Sequence, residues 1–211
     1  MSTSLRLERA RTVDLAAIGR MTSLRELILT RTPVSDLSAL AGLRDLEVLG
    51  LKLTRIVDLA PLARLTRLRQ LIVSFTETRD VTPLGGLTGL ESLHLTGTLV
   101  ADIGPLRGLV NLTRLDLGGT DVADLTPVRG MTKLLGLQLA ETRVTDLTPL
   151  AGLRSLRFID LGGTGIADLT PLSKLTALRE VDVRRTKITD FSPLPAGVAA
   201  ITNQNPRRRR P

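Results

Sequence analysis

One pattern returns at a fixed interval along almost the whole chain and leaves little freedom for the fold. The pattern L-x-x-L-x-L-x-x-T-x-V-x-D-L-x-P-L-x-x-L-x-x begins at Leu24 and recurs at Leu46, Leu68, Leu90, Leu112, Leu134, Leu156 and Leu178. Every interval is 22 residues, without insertion or deletion. A degenerate copy starts at Ser2, with Leu5 and Leu7 in the strand positions, which makes nine units. Aspartate holds position 13 in all nine, from Asp14 to Asp190, and threonine holds position 9 in eight, from Thr32 to Thr186. No single unit of that length can bury its own apolar side, so a register kept in this way means units stacked on copies of themselves.

Composition agrees with a small packing unit used repeatedly. The 211 residues are 42% hydrophobic, yet aromatics are 1%, with three Phe and neither Trp nor Tyr. A core built almost wholly of Leu, Val and Ile does without the bulk that aromatics usually supply. The lack of Cys excludes disulfides and thiolate zinc sites. A single histidine, His94, argues against a histidine-based metal cluster or charge relay. The formal net charge of +8 raises the question of nucleic acid or anionic membrane. Four of those charges are Arg207, Arg208, Arg209 and Arg210, and removing them leaves a surplus of only +4. Met1 to Arg11 is polar and lacks the apolar stretch of a secretory signal, and no uncharged apolar run is long enough to span a membrane. The cytoplasm is therefore the expected location.

The repeat resembles the leucine-rich-repeat family, whose units each contribute one strand to a horseshoe. The resemblance covers roughly residues 2–194, and is strongest to the 22-residue class of bacterial internalins and the phosphatase-regulator branch of eukaryotes. It implies an α/β solenoid: a horseshoe of about nine coils, with a parallel sheet on the concave face and short helical or 3-10 turns on the convex face. A single domain is expected over 1–201, with units starting at 2, 24, 46, 68, 90, 112, 134, 156 and 178 and a terminal half-coil to about 201. Residues 202–211 read as a disordered basic tail. The family usually carries Asn at position 9, bonding backbone groups of neighbouring coils. The Thr found here is expected to form a similar, shorter ladder.

Each coil can also be read from its residues. Apolar positions 4 and 6 alternate with outward ones, the period of a strand. Position 11 (Val34, Ile56, Val122, Ile188) then turns inward, and Leu at positions 14, 17 and 20 completes the interior. Asp at position 13 should accept nearby backbone N–H groups, as Asp does in turns. Nine carboxylates stacked roughly 5 Å apart would otherwise repel one another. Thr126-Pro127, Thr148-Pro149, Thr170-Pro171 and Ser192-Pro193 place a capping oxygen and then Pro where a short helix starts. The repeat breaks at Pro195-Ala196-Gly197, and Val198–Ile201 is expected to add a last strand two residues ahead of register.

Catalytic motifs are missing. The pairs Gly118-Gly119 and Gly162-Gly163 belong to no phosphate-binding loop. One carboxylate per coil falls short of the converging oxygens of a calcium solenoid. His94 reads as a surface histidine with no Ser or Cys relay implied. No catalytic residue, metal or cofactor is nominated, and the chain is expected to be non-enzymatic.

Irregularity on so regular a frame is informative, and it gathers on the outward strand positions 3, 5, 7 and 8. Coils two to four place Ile28, Val48, Leu53, Ile72 and Phe75 there, an apolar patch of the kind that marks interfaces. Later coils place Asp116, Glu141, Asp160, Glu180 and Asp182 beside bare glycines, with Asp160 and Asp182 as like-charged cross-strand neighbours. His94 and Phe158 complete the candidate partner-binding site. The expectation is a monomeric scaffold whose concave face takes another protein, one with a hydrophobic segment followed by basic residues. The plain alternative is a solvated sheet with scattered hydrophobes. Two other function classes are a sensor or regulatory subunit of a separate enzyme or NTPase, and weak attachment to nucleic acid or an anionic surface through Arg207–Arg210. That run has no interleaved aromatics to stack bases and gives only salt-sensitive attraction.

Overall fold

The computed structural model describes residues 3–203. Every repeat contributes one three-residue strand: β1 (Ser4–Arg6), β2 (Glu26–Ile28), β3 (Val48–Gly50), β4 (Gln70–Ile72), β5 (Ser92–His94), β6 (Arg114–Asp116), β7 (Gly136–Gln138), β8 (Phe158–Asp160) and β9 (Glu180–Asp182). A tenth, β10 (Ala199–Ile201), closes the series. The ten form one parallel sheet in chain order. Up to β9 the 22-residue repeat is also the register, so Leu27 lies beside Leu49 and Leu49 beside Leu71. At β10 the register shortens: Ala199 pairs with Glu180, an offset of 19 residues. The last strand thus arrives three residues ahead of register instead of two, because Pro195-Ala196-Gly197 replaces the usual turn.

The opposite side carries seven 3-10 turns, from Ser38–Leu40 to Thr170–Leu172, and α1 (Leu15–Ile18), a single α-helical turn in the first coil. Their start is set by aspartate and not, as the Thr-Pro pairs imply, by a threonine cap. None of the seven 3-10 turns receives a side-chain bond from the residue before it. The Oδ1 of Asp124 instead accepts the N–H of Thr126 at 2.7 Å, and the same bond recurs at Asp36, Asp58, Asp80, Asp102, Asp146, Asp168 and Asp190. Asp14 caps α1 through Ala17. Where Pro follows it has no N–H to satisfy, and the next N–H closes the turn, as Leu150 N–H does onto the Leu147 carbonyl.

The core is one stack of Leu, Val and Ile between sheet and turns, closed by Met131 at a leucine position. Its middle coils are sealed, whereas Leu5, Leu7, Val13, Leu15 and Met21 at one end and Phe191, Leu194 and Val198 at the other are only partly buried. The threonine column does not form the expected ladder between coils. Each hydroxyl bonds within its own coil, donating to the carbonyl at position 6, as Thr142 does to Leu139 at 2.7 Å. A threonine side chain is too short to reach the next coil, and its β-carbon holds the hydroxyl over its own turn. Among the described residues no helix is long and apolar enough to cross a membrane.

Candidate binding face on the sheet

Directly before each threonine the backbone enters the left-handed region. Position 8 has φ of 58° to 60° at Arg31, Leu53, Phe75, Glu141 and Arg185, and 63° to 70° at Gly97, Gly119 and Gly163. This conformation costs a non-glycine residue about 1–2 kcal/mol. It also throws the side chain outward at the rim of the sheet, where Leu53 is 38% and Phe75 48% exposed.

Several bare positions on the face are occupied by the preceding coil's side chain. A β-carbon at Gly50 would lie 2.8 Å from Ile28, one at Gly97 2.6 Å from the Phe75 ring, and one at Gly163 2.7 Å from the Glu141 carboxylate. Ile28 therefore lies across Gly50 towards Ile72, with Val48 beside them, all three half-buried on the face. The Lys52 Nζ sits 5.5 Å from the centre of the Phe75 ring, a cation–π distance. The expected apolar residues thus lie together at the N-terminal half of the sheet.

The acidic half is more compensated than its composition implies. Glu141 pairs with Arg185 at 2.6 Å. Asp182, expected on the open face, is only 7% exposed, because Arg184 folds back onto its carboxylate. Asp160 lies directly beside Asp182 in the register. Burial pushes the Asp160 carboxyl above its ordinary range, against the pull of the Gly162 N–H, and the Asp182 charge adds to the rise. Burial also acts to raise Asp116, but there His94, Thr96 and the Gly118 N–H prevail and hold the carboxyl below the usual range. Glu180 is half-buried on β9 beside Phe158, which is 52% exposed.

His94 has partners the sequence reading did not assign. Its Nε2 is 2.9 Å from the Ser92 Oγ and its Nδ1 3.8 Å from Asp116 Oδ2. The signals were present: Ser92 precedes it by two residues on one strand, so both side chains share a face, and Asp116 lies one repeat ahead. The array orders this part of the face. The amides of Ser92 and Leu95 are spent on the carbonyls of Arg69 and Asp116. The Arg207–Arg210 run lies outside the described residues.

Residues 154–196 match the family model for leucine-rich repeats in two copies. Internalin C2 of Listeria monocytogenes shares 33% identity with a TM-score of 0.82, over 90% of this chain and 84% of that one. The chain belongs to the internalin-like leucine-rich-repeat family. A second Listeria internalin, inlF, matches this leucine-rich-repeat chain at 28% identity and a TM-score of 0.79, over 92% of this chain and 71% of that one. The ectodomain of the Arabidopsis thaliana receptor kinase GASSHO1/SCHENGEN3 shares the fold at 20% identity and a TM-score of 0.76, over 88% of this chain and 24% of its own length. No curated protein matches the sequence.

Proposed function

We propose that this leucine-rich-repeat chain is a non-enzymatic scaffold that holds a partner protein on the concave face of its sheet. The observation that carries the reading is where the aromatics sit. The buried core contains none, while two of the three phenylalanines, Phe75 and Phe158, stand about half exposed on that face. Exposed aromatics are the anchors through which protein interfaces gain most of their affinity. Phe75 stands at a left-handed position that three other coils give to glycine, so the chain keeps an exposed ring where the backbone favours none. The receptor ectodomain with the same fold was solved in complex with Casparian strip integrity factor 2, which supports a binding role for a solenoid of this kind. Ile28, Val48, Leu53, Ile72 and Phe75 form the apolar anchor, and Asp116 and Asp160 receive basic residues further along, with His94, Glu141, Phe158, Glu180 and Asp182 around them.

The test is capture of the partner from the native organism by wild type and by three variants. Ile72→Asp with Phe75→Ser, and Asp160→Arg, should each weaken capture at least about tenfold. Arg64→Glu, on the turn side, should leave it unchanged. Equal capture by all four proteins would remove the reading.

A further inference from the structure

The face carries seven glycines at its outward positions, and they are not equivalent. Gly50, Gly97 and Gly163 lie under a neighbouring side chain, and Gly118, Gly119 and Gly162 have backbone or carboxylate atoms within 3.1–3.7 Å of where a β-carbon would stand. Gly136 alone among them has nothing within 4 Å. It sits at the start of β7, between Arg114 on β6 and Phe158 on β8. Leu135 and Arg157 stand on its flank, and the resulting recess holds about 350 Å³. That volume is at the small end of ligand pockets, about 300–1,000 Å³.

Charge around the recess is uneven. In the earlier coils, arginines along the entry edge of the strands meet a carboxylate one coil away: Arg25 with Glu47, Arg69 with Glu91, and Arg67 with Asp45. The alternation stops after Glu91, where the same column continues Thr113, Leu135, Arg157 and Arg179. Among the described residues neither Arg114 nor Arg157 makes an ion pair. His94, Asp116 and Gln138 close the opposite rim. The recess is thus apolar at its floor, aromatic on one wall and split in charge, cationic at the entry edge and anionic at the exit.

We infer that the Gly136 recess is a socket for one aromatic side chain of an extended partner segment, whose neighbouring carboxylate meets Arg114 and Arg157. The ring stacks against Phe158 over the bare glycine, and the partner supplies the acid that the column lacks. In an extended segment, side chains two residues apart share a face, so acid and ring belong at that spacing. This inference rests on the reading of the concave face as the binding surface.

The chain has no Trp or Tyr, so a tryptophan probe reports alone. The probe is the capped peptide Asp-Gly-Trp-Gly-Gly, with Lys-Gly-Trp-Gly-Gly as its charge-reversed counterpart. The acidic peptide should give a saturable blue shift in emission below about 1 mM. The basic one should bind about tenfold more weakly. Gly136→Leu should abolish the shift while melting as wild type does, since its side chain enters open space. Arg114→Glu with Arg157→Glu, at exposed positions, should invert the preference between the peptides. Absence of a saturable shift, equal binding of both peptides, or undiminished binding by Gly136→Leu would each overturn the socket. If the peptide fails while partner capture still depends on Ile72 and Phe75, the socket alone falls. If capture ignores every change on the face, the broader reading falls whatever the peptide does.

Discussion

At the scale of single residues, position 8 exposes a trade between stability and contact. Three coils place glycine in the left-handed turn, as the backbone prefers, and Leu53 and Phe75 keep apolar side chains there. Leu53→Gly should therefore hold stability within about 1 kcal/mol of wild type, on the stabilising side, in urea denaturation. A residue kept only for the fold would lose stability instead. Asp160 makes the matching electrostatic case. Its carboxyl is raised in the folded chain by burial and by Asp182, so the folded state binds its proton more tightly than the unfolded state. Its charge therefore costs stability above the folded value, and the cost disappears as pH falls through the ordinary carboxylate range. Asp160→Asn keeps an acceptor for the Gly162 N–H and should stabilise at pH 7 by about 0.2–1 kcal/mol. The gain should vanish in melts near pH 3, below the ordinary carboxylate value of about 3.9.

At the scale of the coil, two side chains shape each turn after the first coil, and both were visible as columns in the repeat. What each does was only half legible. Aspartate as a backbone acceptor followed from its turn chemistry, but the Thr-Pro pairs pointed to threonine as the cap. The aspartate two residues upstream takes the threonine's own N–H and hydroxyl, and the N–H that a threonine cap would accept closes onto a backbone carbonyl, as Val128 does onto Leu125, which spacing alone does not decide. Likewise Thr at position 9 stood where Asn usually does, and only geometry showed its bond turning inward to its own coil. Thr142→Val removes the Oγ donor to Leu139 and retains the shape, so it should cost about 1 kcal/mol in urea denaturation. Serine or threonine bonds hold Asp36, Asp80, Asp124, Asp146 and Asp168 below the ordinary carboxylate range through hydroxyl and then amide, and Asp190 through amide and then hydroxyl. A lowered folded value stabilises above the unfolded one, and that contribution is lost as pH falls through the folded value. Melting temperature should therefore drop on acidification below about pH 4, and Asp146→Ala should flatten that drop while lowering the neutral melting point.

For the whole molecule, the repeat made strand order, register and core legible before any coordinates. The face was less so. Which side chains point outward follows from alternation, but whether a charge stands free depends on long arginines reaching across coils or back along a strand. Arg184 covering Asp182 and Arg185 meeting Glu141 leave no periodic trace. Stability should follow the stacking, because inner coils have two neighbours and end coils one. Hydrogen exchange should accordingly be slowest in β4–β7 and fastest in β1 and β10, where the flanking leucines and Phe191 are only partly buried. Uniform protection along the chain would contradict this. The unbroken 22-residue register up to β9 also makes the protein a ruler with whole-number divisions. In-frame gain of one coil between β4 and β6 would move the Phe75 cluster and the Gly136 recess apart by one strand spacing, about 4.8 Å. Paralogues of different length would then differ in the footprint they measure on a ligand before they differ in its chemistry.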